Sequence, residues 1–212
     1  MIKVENVEVW GFEHAIRGMR NPMNSWDKSD SEWRIYTPEY PHLSKAKYEI
    51  GKNDLDLMRR LYKAGPEHRK YLRQIFVSMD ITAPLYWWKE ADTYKVGTTS
   101  NSCSTMHRIH DKKFEFNDFS TEHLYVESMY ALSYTITILN EARELYIESK
   151  RKEDWWQMIQ LLPSSYNQRR TITMSYENVV NIINQRSGHK LDEWNVFVEE
   201  LKRLPYIKEI TE

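Results

Sequence analysis

The chain has 212 residues with 41% hydrophobic and 13% aromatic content, enough to fill a substantial core, so a folded soluble protein is expected. Thirty basic against thirty-one acidic residues give a formal net charge of -1, which excludes a global field toward nucleic acid or an acidic membrane; any anion must be held by local cations. One cysteine excludes an internal disulfide and a set of metal thiolates.

Reducing, cytoplasmic surroundings fit that cysteine count. The first residues, MIKVENVEVW, lack the apolar core of a signal peptide, and no stretch approaches the roughly 18 apolar residues of a membrane span. Ile2 to Trp10, rich in Val, reads as a strand, followed by a helix through His14 to Met19 that stops at Asn21-Pro22. Ser25 to Lys47 mixes Trp26, Trp33, Tyr36 and Tyr40 with prolines and charges and keeps no period, so a loop insertion is expected over 25–50. Asn53 or Asp54 can cap a helix with Leu55, Met58, Leu61 and Tyr62 on one face, ended by Gly65-Pro66.

Ile75, Val77, Met79 and Ile81 alternate with Phe76, Ser78 and Asp80 and predict a strand with one face on the core. Pro84 then opens a short helix through Trp87, Trp88 and Ala91. A polar loop from Gly97 to Thr105 follows, offering many donors and little volume, as suits the wall of a polar small-molecule site; a Ser/Thr-rich surface loop is the plain alternative. Ser120 is the expected cap of a long helix from about Glu122 to Lys150 carrying Leu132, Ile136, Leu139 and Tyr146 on one face. Helices through Trp155 to Leu162, Ser175 to Arg186 and Leu191 to Leu201 complete the chain. With neither linker nor repeat, these elements predict one α+β domain over 1–212: a mixed first half with a small sheet and a mostly helical second half.

Few residues point to chemistry by themselves. His107 and His110 have no acidic or cysteine partner at a metal-like interval, and no metal site is expected. Cys103 has no base identifiable in sequence, and a lone cysteine is more often a small buried residue. Glu90 and Asp92, two apart, cannot face each other on a helix. Arg169-Arg170 and Arg186 can hold a phosphate, and the first pair equally makes a solvated patch.

Taken in order, Ile81-Thr82-Ala83-Pro84, the polar stretch behind it, and Leu162-Pro163 leading through 22 residues to Arg186 resemble the flavin-dependent thymidylate synthases, which methylate dUMP using FAD, methylene-tetrahydrofolate and NADPH. That family carries R-Q-x-x-R-H-R-x-x-S-x-N-E-x-S-x-R-Y after its Ala-Pro helix. Counted from Ala83-Pro84, Arg-Gln falls on Lys89-Glu90 and Arg-His-Arg on Thr93-Tyr94-Lys95. One register sets Asn-Glu-x-Ser on Ser100-Asn101-Ser102-Cys103; a shift of one residue matches Asn101 and Ser104. Under either register the central Glu and the dUMP-binding Arg are absent. Downstream, Asn181 and Arg186 match, whereas Ser175 and Glu177 stand where the family has Asn and Arg, and a carboxylate there repels phosphate.

The resemblance implies a thymidylate synthase complementing protein-like fold and a nucleotide-like ligand held by Lys89, Glu90, Tyr94, Lys95, Asn101, Ser104, Asn181 and Arg186. Ser104 or Cys103 would stand at the catalytic position. FAD is a possible cofactor whose Arg-His-Arg contacts are lost, and the family's homotetramer implies self-association. Three functions follow. The first is nucleotide binding without the standard dUMP methylation. The second is a flavin-dependent methyltransferase on dUMP or another pyrimidine nucleotide. The third is an interaction protein using its Trp-rich loop.

Overall fold

A computed structural model describes residues 2–36 and 45–212. The fold is α+β, with a four-stranded sheet of order β1-β4-β6-β5, formed by β1 (Lys3–Trp10), β4 (Phe76–Pro84), β6 (Asn167–Ser175) and β5 (Thr98–Ser102). A two-stranded antiparallel ribbon joins β2 (Glu32–Tyr36) to β3 (Lys45–Glu49), pairing Trp33 with Tyr48 and Ile35 with Ala46. The chain divides into two compact units, one built from the residues up to Asn6 with Met79–Ile172, the other from Val7–Ser78 with Thr173–Glu212. Among the described residues no helix is long and apolar enough to cross a membrane.

In the first unit, α4 (Val126–Ser149) and α5 (Lys152–Leu161) bury Leu132, Ile136, Leu139, Ala142 and Met158 with Ile109, Phe114 and Phe119. The predicted face of α4 is therefore the packed one, except that Tyr146 is half-buried. The helix starts later than expected because Ser120 is not its cap. Ser120 is buried, and its hydroxyl donates to Asn167 Oδ1 at 3.0 Å. From Glu122 to Ala131 every residue is exposed.

In the second unit, α1 (Phe12–Arg20), α2 (Lys52–Lys63), α6 (Tyr176–Arg186), α7 (Asp192–Lys202) and α8 (Ile207–Thr211) enclose a core that includes Ile16, Met58, Leu72, Ile75, Tyr176, Trp194 and Phe197. Gly11 opens α1 with φ 94°, and a Cβ there would lie 2.1 Å from the Gln74 carbonyl oxygen, so only glycine fits. Neither expected residue caps α2. Asp30 does so instead, its carboxylate accepting the Asn53 and Asp54 amides at 2.8 and 3.1 Å. Asp54 is fully buried and receives Arg20 Nε at 2.6 Å, the hydroxyls of Ser29 and Ser31, and the amides of Asp30 and Ser31.

Two segments differ from the sequence expectation. The stretch read as a loop holds the ribbon of β2 and β3; its tip, 37–44, lies outside the described residues. The polar loop after α3 (Leu85–Ala91) contains β5, whose residues Thr-Thr-Ser-Asn-Ser have no apolar alternation to announce a strand.

Candidate functional site

The sheet strand β4 leads through Pro84, in extended conformation, into α3, which buries Trp87 and Trp88 edge to face with ring centroids 4.8 Å apart. Trp88 Nε1 donates to the Gln168 carbonyl at 2.9 Å, and the Arg170 guanidinium lies 4.3 Å over the Trp88 ring. Arg170 also donates to Asp92 Oδ1 at 2.8 Å and to Gln168 Oε1 at 2.9 Å. The end of α3 is thereby tied to β6 through Nε and Nη1 of Arg170.

The sequence-predicted residues of this unit follow one another along α3, a turn and an edge strand. Lys89 and Lys95 are exposed, Glu90 and Tyr94 half-buried, and Asn101 lies exposed on β5. Cys103 continues that strand: its amide donates to the Arg169 carbonyl at 2.9 Å and its carbonyl accepts Gln168 Nε2 at 2.7 Å. The thiol is exposed, contrary to the buried cysteine that its composition suggested. Ser104 Oγ accepts the Met106 and His107 amides at 3.2 and 2.8 Å, closing a turn. A hydroxyl used in this way orients the backbone, and no side-chain base is bonded to it among the described residues.

Arg169 and Arg170, which the sequence left between phosphate ligands and a solvated patch, lie on β6 and are both paired. Arg169 Nη2 donates to Asp80 Oδ2 at 2.6 Å, where Asn6 Nδ2 also donates at 2.8 Å. The Thr171 hydroxyl, Asn6 and Arg169 hold the Asp80 carboxyl well below the usual carboxylate range.

In the second unit, Ser175 caps α6 by accepting the Asn178 amide at 3.4 Å. Glu177 Oε1 accepts Arg69 Nε and Nη2 at 3.2 and 2.9 Å, and Arg69 Nη2 lies 3.4 Å from Asn181 Oδ1. The repulsion expected from Glu177 is thus offset by Arg69, which stands 108 residues away in sequence and carries no motif. Asn181 shares in holding that arginine. The Arg186 guanidinium packs 4.6 Å over Trp194, with Nη1 3.0 Å from His189 Nε2. Among the described residues no three His, Cys, Asp or Glu side chains gather as metal ligands would.

Lys89 and Lys95 are exposed, whereas Arg69, Arg169, Arg170 and Arg186 each have a partner within the protein. Tyr94, Asn101 and the amides of the 98–104 strand and turn supply neutral polar contacts.

No protein-family model matches the chain, and no curated protein does. Solved structures do match. The flavin-dependent thymidylate synthase ThyX from Helicobacter pylori, complexed with FAD and dUMP, superposes with a TM-score of 0.65 at 16% identity over 93% of this chain and 92% of that one. A second Helicobacter pylori ThyX structure with FAD and dUMP gives 0.64 at 15% identity, over 95% and 91% of the two chains. PolB from Streptomyces cacaoi, a UMP/dUMP methylase bound with 5-Br dUMP, gives 0.64 at 12% identity over 95% and 88%. The TM-scores and the near-complete coverage in both directions together assign this chain the fold of the flavin-dependent thymidylate synthases.

Proposed function

We propose that the protein binds a nucleotide or a nucleotide-like cofactor on this fold, without the standard methylation of dUMP. The observation that carries the reading is the match over 93% of the chain to a structure holding FAD and dUMP. In support, the exposed run from Lys89 to Ser104 offers two ammonium groups, amides and a phenol to an anionic, polar guest. Lys89, Glu90, Tyr94, Lys95 and Asn101 make the ligand contacts, with Asn181 and Arg186 as further binding positions. Ser104 and Cys103 stand where chemistry would occur, but the first has its oxygen turned to backbone amides and neither has a base bonded to it among the described residues. That absence of an activated nucleophile favours binding over catalysis.

The chain acts, in this reading, as a single domain in a cytoplasmic homo-oligomer of tetrameric form, its sites completed between copies. The exposed apolar side chains at the start of α4 support self-association.

Retention of FAD and an active methyltransferase is the second reading, favoured by the three solved neighbours with FAD, dUMP or a dUMP analogue. If bound, the flavin would bring hydride chemistry; Lys95 and Tyr94 would hold its phosphates and ring, and Lys89 would add charge.

Absorbance of the purified protein between about 300 and 550 nm, with mass spectrometry of whatever denaturant releases, separates the readings. The expected result is a colourless protein that releases or binds nucleotide, with affinity falling about three- to tenfold in Lys95→Ala and in Arg186→Ala. A flavin spectrum with methyl transfer to dUMP would establish the second reading. Absence of any nucleotide binding would overturn both.

A further inference from the structure

The ribbon has two unlike faces. Directly paired residues share a side, so Trp33, Tyr48, Ile35 and Ala46 make one face, and Glu32, Arg34, Lys47 and Glu49 make the other. The first face helps to wall a cavity of about 420 Å³ together with Trp10, Phe12, Tyr206 and Glu13. Trp10 and Trp33 remain 44% and 55% exposed, so the rings are within reach of a guest.

Three polar tips of the wall are already engaged. Trp33 Nε1 donates to Glu13 Oε2 at 3.1 Å, and the Tyr206 hydroxyl accepts the Ile50 amide at 3.2 Å. The Tyr48 hydroxyl is bonded to the Ser31 side chain. What the cavity offers is ring surface and one carboxylate. Lys47 also borders it but sits on the charged side of the ribbon, and its long stem allows the ammonium to stay in water. His14, the other titratable neighbour, has Nδ1 3.4 Å from Arg17 Nη2.

Aromatic faces attract cations through the ring quadrupole, and a methylated ammonium, bulky and weakly hydrated, loses little on leaving water. Glu13 supplies the opposite charge. A phosphate-bearing guest would be repelled by that carboxylate, and a neutral ring would leave it unmatched. We propose that this cavity binds a small methylated ammonium compound, with its trimethylammonium head among Trp10, Trp33, Tyr48 and Tyr206 and its charge balanced by Glu13.

The test is calorimetric and fluorescence titration of the full chain with choline and, in parallel, with 3,3-dimethylbutan-1-ol, its uncharged isostere. Saturable choline binding is expected, with the alcohol at least about tenfold weaker. Glu13→Gln keeps an acceptor for Trp33 and should weaken choline about tenfold, as should Trp33→Leu. No saturable response to choline, equal affinity for the alcohol, or undiminished choline binding in Glu13→Gln would overturn the proposal. The comparison of choline with its isostere uses the unaltered protein, so it decides the matter even where a variant fails to fold.

Discussion

Asp54 is the residue on which the segment before the ribbon depends. Its carboxylate is fully buried and takes one guanidinium, two hydroxyls and two amides from residues 20 and 29–31. Burial alone would push its titration upward, but the Ser31 and Ser29 hydroxyls and Arg20 outweigh it and hold the carboxyl below its ordinary value. A carboxyl depressed in this way stabilises fully above the unfolded value of about 3.9, and that stabilisation is lost as pH falls through the folded value. Asp54→Ala leaves Arg20, itself 4% exposed, as a buried charge without its partner. Urea denaturation at neutral pH should show a loss of about 3 to 5 kcal/mol, and the variant's stability should fall less below about pH 4 than that of the parent. None of this could be read from sequence. Asp54 looks like a helix cap, and its partners are turn residues whose convergence is tertiary.

At the scale of elements, legibility follows apolar periodicity. Ile75, Val77, Met79 and Ile81 are all buried, as their alternation predicts, and α6 and α7 bury Val179, Ile182, Trp194, Val198 and Leu201 as expected; of the face expected for α2 only Met58 is buried, beside Leu57, with Leu55, Leu61 and Tyr62 half-buried. Strand β6 is not legible in sequence because only Ile172 and Met174 are buried apolar residues within it; its other buried residues, Gln168 and Ser175, are polar, and Gln168 is bonded to Cys103. Strand β5 is illegible for the same reason, since its place in the sheet rests on backbone pairing, not on side chains. The candidate site suffers most from this. Asn101, Cys103 and Ser104 were legible as polar residues in a run, but that an edge strand and a hydroxyl-closed turn carry them was not. For α6 the cap is legible in Ser175, and Ser175→Ala should cost about 0.5 to 2 kcal/mol, measured by the midpoint of denaturation.

For the molecule as a whole, two sequence blocks and the order of features along the chain were enough to suggest the fold that the solved structures share. What sequence did not disclose is how much of the start of α4, and of the residues just before it, the described residues leave bare. Tyr125, Tyr130 and Tyr134 are 83%, 73% and 70% exposed, and Leu124, Val126 and Met129 accompany them. With about 150 to 250 Å² for each buried aromatic side chain, the group approaches the roughly 800 Å² that one partner gives to a standard interface. Sedimentation should therefore show an oligomer, and Tyr130→Glu should shift the population to monomer; an unshifted distribution would free α4 of this role. If these rings meet a second copy, stability ceases to belong to one chain. The melting midpoint would climb with protein concentration, and a cell that made less of this protein would also hold each molecule of it less firmly folded.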